Sequence, residues 1–399
     1  MFTKHFINKL FYEDKANTKK TELFHYQIIE QFGDDFVRKH NPNTWTLRTL
    51  NALRICRTAA LGGHKEQCDS CGKLRISYNS CRNRHCPKCQ SSKQAFWVED
   101  VSQRIIDSKY FHLVFTVPEV LNSICLLDSK KFYSTLFSSL WQTLQTFGYT
   151  HYGVETGAIA ILHTWGQNLS LHPHIHCLVP AAGITLAGNM RKISKKGKYL
   201  YPVIKLSVDF RSTMMKQLKK QLANSNQLLQ YQSLIDKAWA KKWVVFSEPS
   251  FADANRVIKY LGQYTHRVAI SNHRLHNIDN KIVSFFYKDY KDNSKRKLTT
   301  ISGVEFLRRF CMHIIPKGFV KIRYYGILSN RFGKQVAMYR IPKLNPGKES
   351  VQQRLHRLTG FDVFKCPYCK KGRMHSIEEL PRIRSPMKFL RPMKIILNK

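Results

Sequence analysis

Acidic residues are scarce in this 399-residue chain: 26 Asp and Glu stand against 66 Lys and Arg, a formal net charge of +40. A charge of that size on a folded chain points to a polyanionic partner, most often nucleic acid; a ribosome-like or anionic-membrane-binding protein is the plainer alternative. No uninterrupted run of about 18 apolar residues occurs, so no membrane span is expected. The N-terminus, MFTKHFINKLFYEDK, has neither a long apolar stretch nor a small-residue cleavage site. Secretion is therefore not expected, and a cytoplasmic, nucleoid-associated location of bacterial type is. The G-x-x-x-x-G-K-[ST] loop that cradles nucleotide phosphates is missing, so no nucleotide cofactor is expected. Internal repeats and long low-complexity tracts are missing too. What is present is 43% hydrophobic residues, with 24 Phe, 18 Tyr and 6 Trp, enough for a sizeable core and incompatible with wholesale disorder. At about 100–200 residues per domain the length suggests two or three structural units.

The 11 cysteines are unevenly spread, with 6 of them between Cys56 and Cys89. In a long chain without a secretion signal, such clustering favours metal ligation over disulfides. The candidate ligands run Cys56, His64, Cys68, Cys71, Cys81, His85, Cys86 and Cys89. Two Cys-x-x-Cys knuckles can each bite a tetrahedral zinc. Cys68, Cys71, Cys86 and Cys89 would satisfy one ion, and Cys56, His64, Cys81 and His85 form a second set. One or two zincs can therefore be held, and spacing leaves the pairing open. Arg82, Arg84, Lys88 and Gly72 make the surroundings polar rather than core-like, and the cations favour thiolates. A closed tetrahedral site has no open position for chemistry, so this module reads as structural, with a basic rim suited to DNA backbone.

Hydrophobic spacing predicts helices over Phe24–Lys39 and Trp45–Cys56, the second capped by Thr44, and over Gln94–Ile106. Tyr110–Val117 reads as a strand, Ser129–Phe147 as a helix, and Ala158–Trp165 and His174–Val179 as two strands joined by a short polar loop. Gly183–Leu206 is turn-rich and basic. Helices over Asp209–Ala223 and Gln227–Ala240, a strand over Trp243–Phe246 and a helix over Phe251–Arg267 follow. A hairpin around Asn277–Asn280 and a helix over Gly303–Ile315 complete the ordered part. The last 69 residues hold 17 Lys and Arg against 4 Asp and Glu and 6 of the 14 prolines, which reads as a basic, weakly ordered appendage.

A second constellation is Leu171-His-Pro-His-Ile-His-Cys-Leu-Val179. On a strand, His172, His174 and His176 share one face while Ile175, Cys177 and Val179 take the other. Imidazoles lined up on a strand make a preorganised metal platform. If the two strands form an antiparallel hairpin centred near Leu169, His163 lies opposite the His174/His176 pair; Gln167 is the other candidate third ligand. The plainer alternative is a strand with surface or hydrogen-bonded core histidines.

A third is Arg256-Val-Ile-Lys-Tyr260-Leu-Gly-Gln-Tyr264-Thr-His266-Arg267. Tyrosines four apart on a helix share a face, with Cβ atoms about 5–6 Å apart, so both phenols can reach one metal-held phosphate. A phenol, with its pKa of about 10, is a weak nucleophile without help from a base or cation. Lys259, His266 and Arg267 are at hand. Alone, Tyr-x3-Tyr is ordinary packing; the histidine strand and the charge give it weight. Lys321-Ile-Arg323-Tyr-Tyr325 mixes cations and aromatics in a way that suits single strands, or is simply a strand with a solvated face.

Together these blocks resemble the insertion sequence 91 transposases, a family of His-hydrophobe-His (HUH) two-tyrosine enzymes. The resemblance rests on Cys56-Arg-Thr-Ala-Ala-Leu-Gly-Gly-His64, Asn79-Ser-Cys-Arg-Asn-Arg-His-Cys-Pro-Lys-Cys-Gln90 and His163-Thr-Trp-Gly-Gln167. It continues through His172–Pro180, Tyr260–Asn272 and Pro316-Lys-Gly-Phe319 in the same order. It implies an α+β fold: a helical zinc-binding domain (residues 1–107, zinc module 56–89), then an HUH nuclease domain (108–330) with a central antiparallel sheet flanked by helices, then the appendage (331–399). His174 and His176 match the HUH ligands for Mg²⁺ or Mn²⁺, His163 fits as the third ligand, and Tyr260 and Tyr264 match the nucleophiles. His266 and Gln263 are candidate assistants. Cys366-Pro-Tyr-Cys369 resembles a knuckle near the end of such proteins, with His375 close enough to extend it, and two ligands do not by themselves close a zinc site. The implied activity is metal-assisted, ATP-independent cleavage and rejoining of single-stranded DNA at mobile-element ends through 5′-phosphotyrosine, in rolling-circle transposition. Arg82, Arg84, Lys88, Arg267, Lys321 and Arg323 are the candidate DNA contacts. A plasmid relaxase or replication initiator would share the chemistry; a zinc-dependent DNA-binding regulator would leave these histidines and tyrosines inert.

Overall fold

The computed structural model describes residues 25–193, 199–248, 262, 265, 268–290, 292–341 and 347–383. Helices α1 (His25–His40) and α2 (Thr44–Arg54) come first. Ile28, Ile29, Phe32 and Phe36 form the buried stripe of α1. The cap of α2 is Asn43, one residue before the expected Thr44, accepting from the Thr46 amide. Hairpin strands β1 (Gly63–Cys68) and β2 (Leu74–Tyr78) lead to helix α3 (Pro87–Ser102), which starts on a proline. Then come β3 (Tyr110–Thr116), α4 (Asn122–Leu127), α5 (Ser129–Tyr152), β4 (Val154–Glu155), β5 (Gly157–Trp165) and β6 (Leu171–Pro180). The turn-rich stretch around residues 183–206 resolves into a small hairpin, β7 (Ala182–Thr185) and β8 (Met190–Lys192), and the start of α6 (Val203–Asn224). Helix α7 (Leu228–Ala240) and strand β9 (Val245–Ser247) follow. The expected helix over 251–267 lies outside the described residues except for Gly262 and Thr265, both helical. The rest comprises β10 (Leu275–Ile278), β11 (Ile282–Asp289), β12 (Lys295–Ser302), α8 (Gly303–Cys311), β13 (Ile322–Gly326), α9 (Val351–Thr359) and β14 (Met374–Leu380).

Five strands form the central sheet in the order β13-β5-β6-β3-β9, all neighbours antiparallel, so the fold is α+β as expected. Side chains alternate between its faces. One face buries Phe111, Leu113, Phe115, Ala160, Leu162, Ile175 and Cys177 beneath α5, α6 and α7. The other packs Tyr110, Ile159, Ile161 and Leu178 on Trp97 and Val101 of α3. A separate core joins α1, α2 and α8 to the β10-β11-β12 sheet through Phe32, Leu50, Phe285, Phe306 and Phe310.

The C-terminal segment comes back to the N-terminal module. Strand β14 pairs antiparallel with β1, from Gly63 opposite Leu380 to Cys68 opposite Met374. Helix α9 docks on α3 through Arg354, 2.6 Å from both Glu99 and Asp100, and Arg357, 2.7 Å from Glu99. Among the described residues no helix is long and apolar enough to cross a membrane.

His313, just past α8, fastens that helix to the β5–β6 turn. Its Nε2 donates to the Leu169 carbonyl and its Nδ1 accepts from the Thr164 hydroxyl, each at 3.2 Å. Burial holds this neutral imidazole down to about 4, from an ordinary 6.5. Between those values the unfolded chain takes a proton that the folded chain refuses, so the ring's contribution is whole above about pH 6.5 and shrinks as pH falls toward 4. Unfolding of wild type and His313→Gln across pH 4–7 should show the wild type losing up to about 1.4 kcal/mol per pH unit relative to the variant. Parallel acid limbs would contradict this.

Candidate active site and cysteine clusters

The register of β5 and β6 sets His163 opposite His174 and Ile161 opposite His176. Since the odd residues Ile175 and Cys177 are locked into the core beneath the sheet, the even histidines must face the other way. One ring nitrogen from each of His163, His174 and His176 lies within 4.8 Å of the other two. Ring centroids are 5.4 Å apart for His163 and His174, 4.6 Å for His163 and His176, and 5.0 Å for His174 and His176. Nitrogens at about 2.1 Å around one cation are about 3–4 Å apart, so small ring rotations suffice. His172 shares the face, its centroid 5.1 Å from that of His174. Burial holds His174 down to about 4, which keeps its ring neutral and able to ligate.

Neighbouring groups fix the tautomers. His174 Nδ1 donates to the His172 carbonyl at 2.7 Å, leaving Nε2 as its free lone pair. His176 Nδ1 lies 3.0 Å from His112 Nε2, and His112 Nδ1 lies 3.0 Å from the Glu248 carboxylate. The carboxylate can only accept, so His112 donates through Nδ1 and accepts through Nε2. His176 must then donate through Nδ1 and present Nε2 to the triad. His112 is on β3 and Glu248 follows β9, so three strands of the sheet are involved. Sequence reasoning missed both residues. The available signal was His112's alternation with Tyr110 on a predicted strand. Trp165 stacks on His163 with centroids 4.7 Å apart, giving the triad an aromatic wall.

The cysteines form two groups of four, and their pairing differs from both expected sets. Cys56, Cys81, Cys86 and Cys89 converge, with Sγ separations of 3.6 Å for Cys56–Cys89 and Cys56–Cys86 and 3.7 Å for Cys81–Cys89. Sulfurs about 2.3 Å from a tetrahedral zinc are about 3.8 Å apart, whereas a disulfide needs about 2.05 Å, so the group fits zinc. Hydrogen bonds from Cys56, Cys81 and Cys86 hold the Cys89 thiol well below its ordinary value. Cys68 and Cys71 instead meet Cys366 and Cys369. The expected ligands His64 and His85 belong to neither group. His64 sits in β1 opposite Ser77 and Glu379. His85 is turned inward, where its Nε2 accepts from the Ile315 amide at 3.3 Å, and burial pushes it down to about 3. His375 pairs with Asp69 at 3.3 Å.

Of the expected DNA contacts, Arg84 and Lys321 share one pocket with Trp165, beside the triad's aromatic wall. Burial and the nearby Arg84 and Lys93 charges push Lys321 down to about 8. Arg323 lies elsewhere, its guanidinium 4.2 Å from the Phe137 ring centroid on the opposite face. Lys88 is over Tyr26, and the Arg82 carbonyl accepts from Lys93. Gln167, the alternative third ligand, is engaged with Tyr290 at 3.1 Å. Tyr260, Gln263, Tyr264, His266 and Arg267 lie outside the described residues. Between the tyrosines, Gly262 sits so close to Val98 of α3 that a Cβ would collide with its methyl group.

Two protein families match. One, described as "Transposase zinc-binding domain", matches residues 28–117 and so contains the complete Cys56–Cys89 group. The other, described as "Putative transposase", matches residues 157–335, which include the three histidines. A "Putative transposase y4qJ" of Sinorhizobium fredii is 40% identical over 385 residues, covering 90% of this chain and 96% of that protein. The transposase for insertion sequence element IS801 of Pseudomonas savastanoi pv. phaseolicola is 27% identical over 296 residues, covering 71% of this chain and 70% of that one. No solved structure matches.

The hydrogen-bond chain from Glu248 to His176 has a spectroscopic consequence. With ¹⁵N-histidine labelling near pH 7.5, long-range ¹H–¹⁵N spectra of the metal-free chain should show His176 as the Nδ1–H tautomer. In His112→Phe, which removes the acceptor, it should shift toward a mixture with Nε2–H. A His176 signal already mixed in the wild type would contradict the chain of donors.

Proposed function

The chain belongs to the insertion sequence 91 family of transposases, so it acts on DNA, and on that premise we propose that it cleaves and rejoins single-stranded DNA at element ends through 5′-phosphotyrosine. The observation carrying this reading is the three-imidazole face of the sheet, with His176 held by His112 and Glu248. His163, His174 and His176 hold a divalent cation, Mg²⁺ or Mn²⁺; an all-nitrogen set suits Mn²⁺ better, since Mg²⁺ prefers oxygen ligands. A cation bound there supplies charge neutralisation at a scissile phosphate. Arg84, past Trp165, adds positive charge for the adjoining backbone, Lys321 adds its own while protonated, and the Trp165 ring offers a base a stacking surface.

Tyr260 and Tyr264 are the nucleophiles. The phenol oxygen forms a bond to phosphorus while the bond to the 3′ oxygen breaks. The phenol gives up its proton and the leaving oxygen takes one, yielding a 5′-phosphotyrosine and a free 3′-OH. The new ester keeps the phosphodiester's energy, so a 3′-OH can reverse the step without ATP. The close packing of Gly262 on α3 supports this assignment, because α3 covers the sheet face that carries the imidazoles. A second tyrosine lets another strand be cut while the first is held, which rolling-circle transfer requires.

Incubation of the full chain with single-stranded element-end oligonucleotides and Mn²⁺, followed by a denaturing gel, tests the reading. A covalent protein–DNA adduct is expected. It should be lost in the Tyr260→Phe/Tyr264→Phe double variant and reduced at least 100-fold in His174→Ala, and Lys321→Met should weaken DNA binding while lowering the salt slope by about one. An adduct that persists in the double variant would reject Tyr260 and Tyr264 as the nucleophiles, and none from any element end would reject covalent chemistry and favour a DNA-binding regulator.

A further inference from the structure

We propose that Cys68, Cys71, Cys366 and Cys369 bind a second zinc that clasps the C-terminal segment onto the N-terminal module. This goes beyond the family match, whose zinc-binding domain ends at residue 117 and whose second region ends at 335, short of Cys366 and Cys369. The Sγ atoms of Cys68 and Cys369 are 3.7 Å apart and those of Cys71 and Cys366 are 3.8 Å apart. Those are tetrahedral zinc spacings and nearly twice a disulfide bond.

The two Cys-x-x-Cys turns are built alike, as paired ligand turns around one ion would be. In the first, the Gly72 amide donates to the Cys68 carbonyl at 3.0 Å and the Cys68 amide to the Lys73 carbonyl at 3.1 Å. In the second, the Lys370 amide donates to the Cys366 carbonyl at 3.0 Å and the Cys366 amide to the Gly372 carbonyl at 2.9 Å. Each has a left-handed residue directly after its second cysteine, Gly72 at φ 68° and Lys370 at φ 58°. Backbone amides aim at the sulfurs: Ser70 at Cys68, 3.4 Å, and Gly372 at Cys369, 3.3 Å, an arrangement that stabilises thiolates. Gly372 is required by the approach of the turns, since a Cβ there would lie 2.5 Å from Cys68 Sγ. Lys73, Lys370, Lys371 and Arg373 stand in sequence beside the cysteines to offset the net negative charge of four thiolates on one zinc.

The surroundings also call for a staple. The sheet β14-β1-β2 has almost no core of its own: Cys68, Cys366 and Met374 are its buried cluster, while Leu74 and Ile76 are about half exposed. A unit that buries so little needs a metal or cross-link to hold together. A zinc there would tie positions 301 residues apart in sequence, Cys68 and Cys369. It would also hold α9 against α3, the helix that begins at the first cysteine group and ends near Glu99 and Asp100.

Native mass spectrometry of the full chain carrying His163→Ala and His174→Ala, which keeps zinc off the imidazole face, after purification in zinc-containing buffer, tests this. Two zincs are expected with all the cysteines intact. One is expected in Cys68→Ser/Cys71→Ser, one in Cys366→Ser/Cys369→Ser, and still one when all four are replaced. In the unaltered wild type, iodoacetamide should spare all four thiols until a chelator is added, after which all four should react together. In Cys366→Ser/Cys369→Ser, amide hydrogen exchange in 351–380 should speed up at least tenfold while the β5 and β6 amides stay protected. A single zinc with all the cysteines intact, a fourfold variant with none, alkylation of Cys366 and Cys369 while Cys68 and Cys71 are spared, or a Cys68–Cys369 disulfide would each overturn the proposal.

Discussion

Side chains on β5 and β6 alternate between a packed core and an imidazole face, and the pairing of His163 with His174 couples the two. A slip of one residue in β6 would push His174 and His176 beneath α5 and α6 and bring Ile175 and Cys177 out of the core. Burying a side chain of isoleucine's size is worth about 1.5–3 kcal/mol, and buried imidazoles without partners cost more. The apolar face therefore selects the register, and the register assembles the triad. Leu169, left-handed at φ 62° in the connecting turn, is gripped through its carbonyl by His313, and the register shifts by one residue between His163 and Trp165 next to that turn.

Around that face the chain has arranged groups that orient the rings. The His172 carbonyl fixes His174, and Glu248 acts through His112 on His176. Strands β3 and β9 thus contribute to the site without supplying any member of the triad. Arg84 and Lys321 bring positive charge nearby, and the chain's net +40 exceeds what one footprint of about eight phosphates would take up. Neutralising about eight phosphates would give a log–log salt slope of roughly −7 on duplex DNA and a shallower one on single strands. The excess suits a protein that grips more than one DNA segment.

The site's legibility in the sequence depended on how local each feature is. The His-x-His-x-His strand and its partner His163 could be read because strand alternation and a short hairpin loop constrain three-dimensional placement directly. The cysteine pairing could not, because each tetrahedron is closed by tertiary structure. Cys56 at the end of α2 joins a loop and the first turn of α3, and Cys68 and Cys71 find partners about 300 residues away. His64 and His85 looked like ligands by proximity in sequence, but strand pairing holds one in β1 and the Ile315 amide claims the other. His112 and Glu248 carry no motif at all; only the order of strands in the sheet makes them neighbours of His176. Most helices followed from hydrophobic period and the fold class from the family resemblance, whereas the return of β14 to β1 left no sign in a basic, proline-bearing tail.

The most direct measurement of the three-imidazole face is the hyperfine spectrum of Mn²⁺ bound to the full chain, with and without uniform ¹⁵N-histidine labelling. Electron spin echo modulation should show coupling to three imidazole nitrogens in the wild type. Replacement of His163, His174 or His176 by alanine should leave two, and replacement of His64 should leave all three. Modulation from water protons alone, or three nitrogens surviving the loss of any triad histidine, would contradict the assignment of this sheet face as the metal platform.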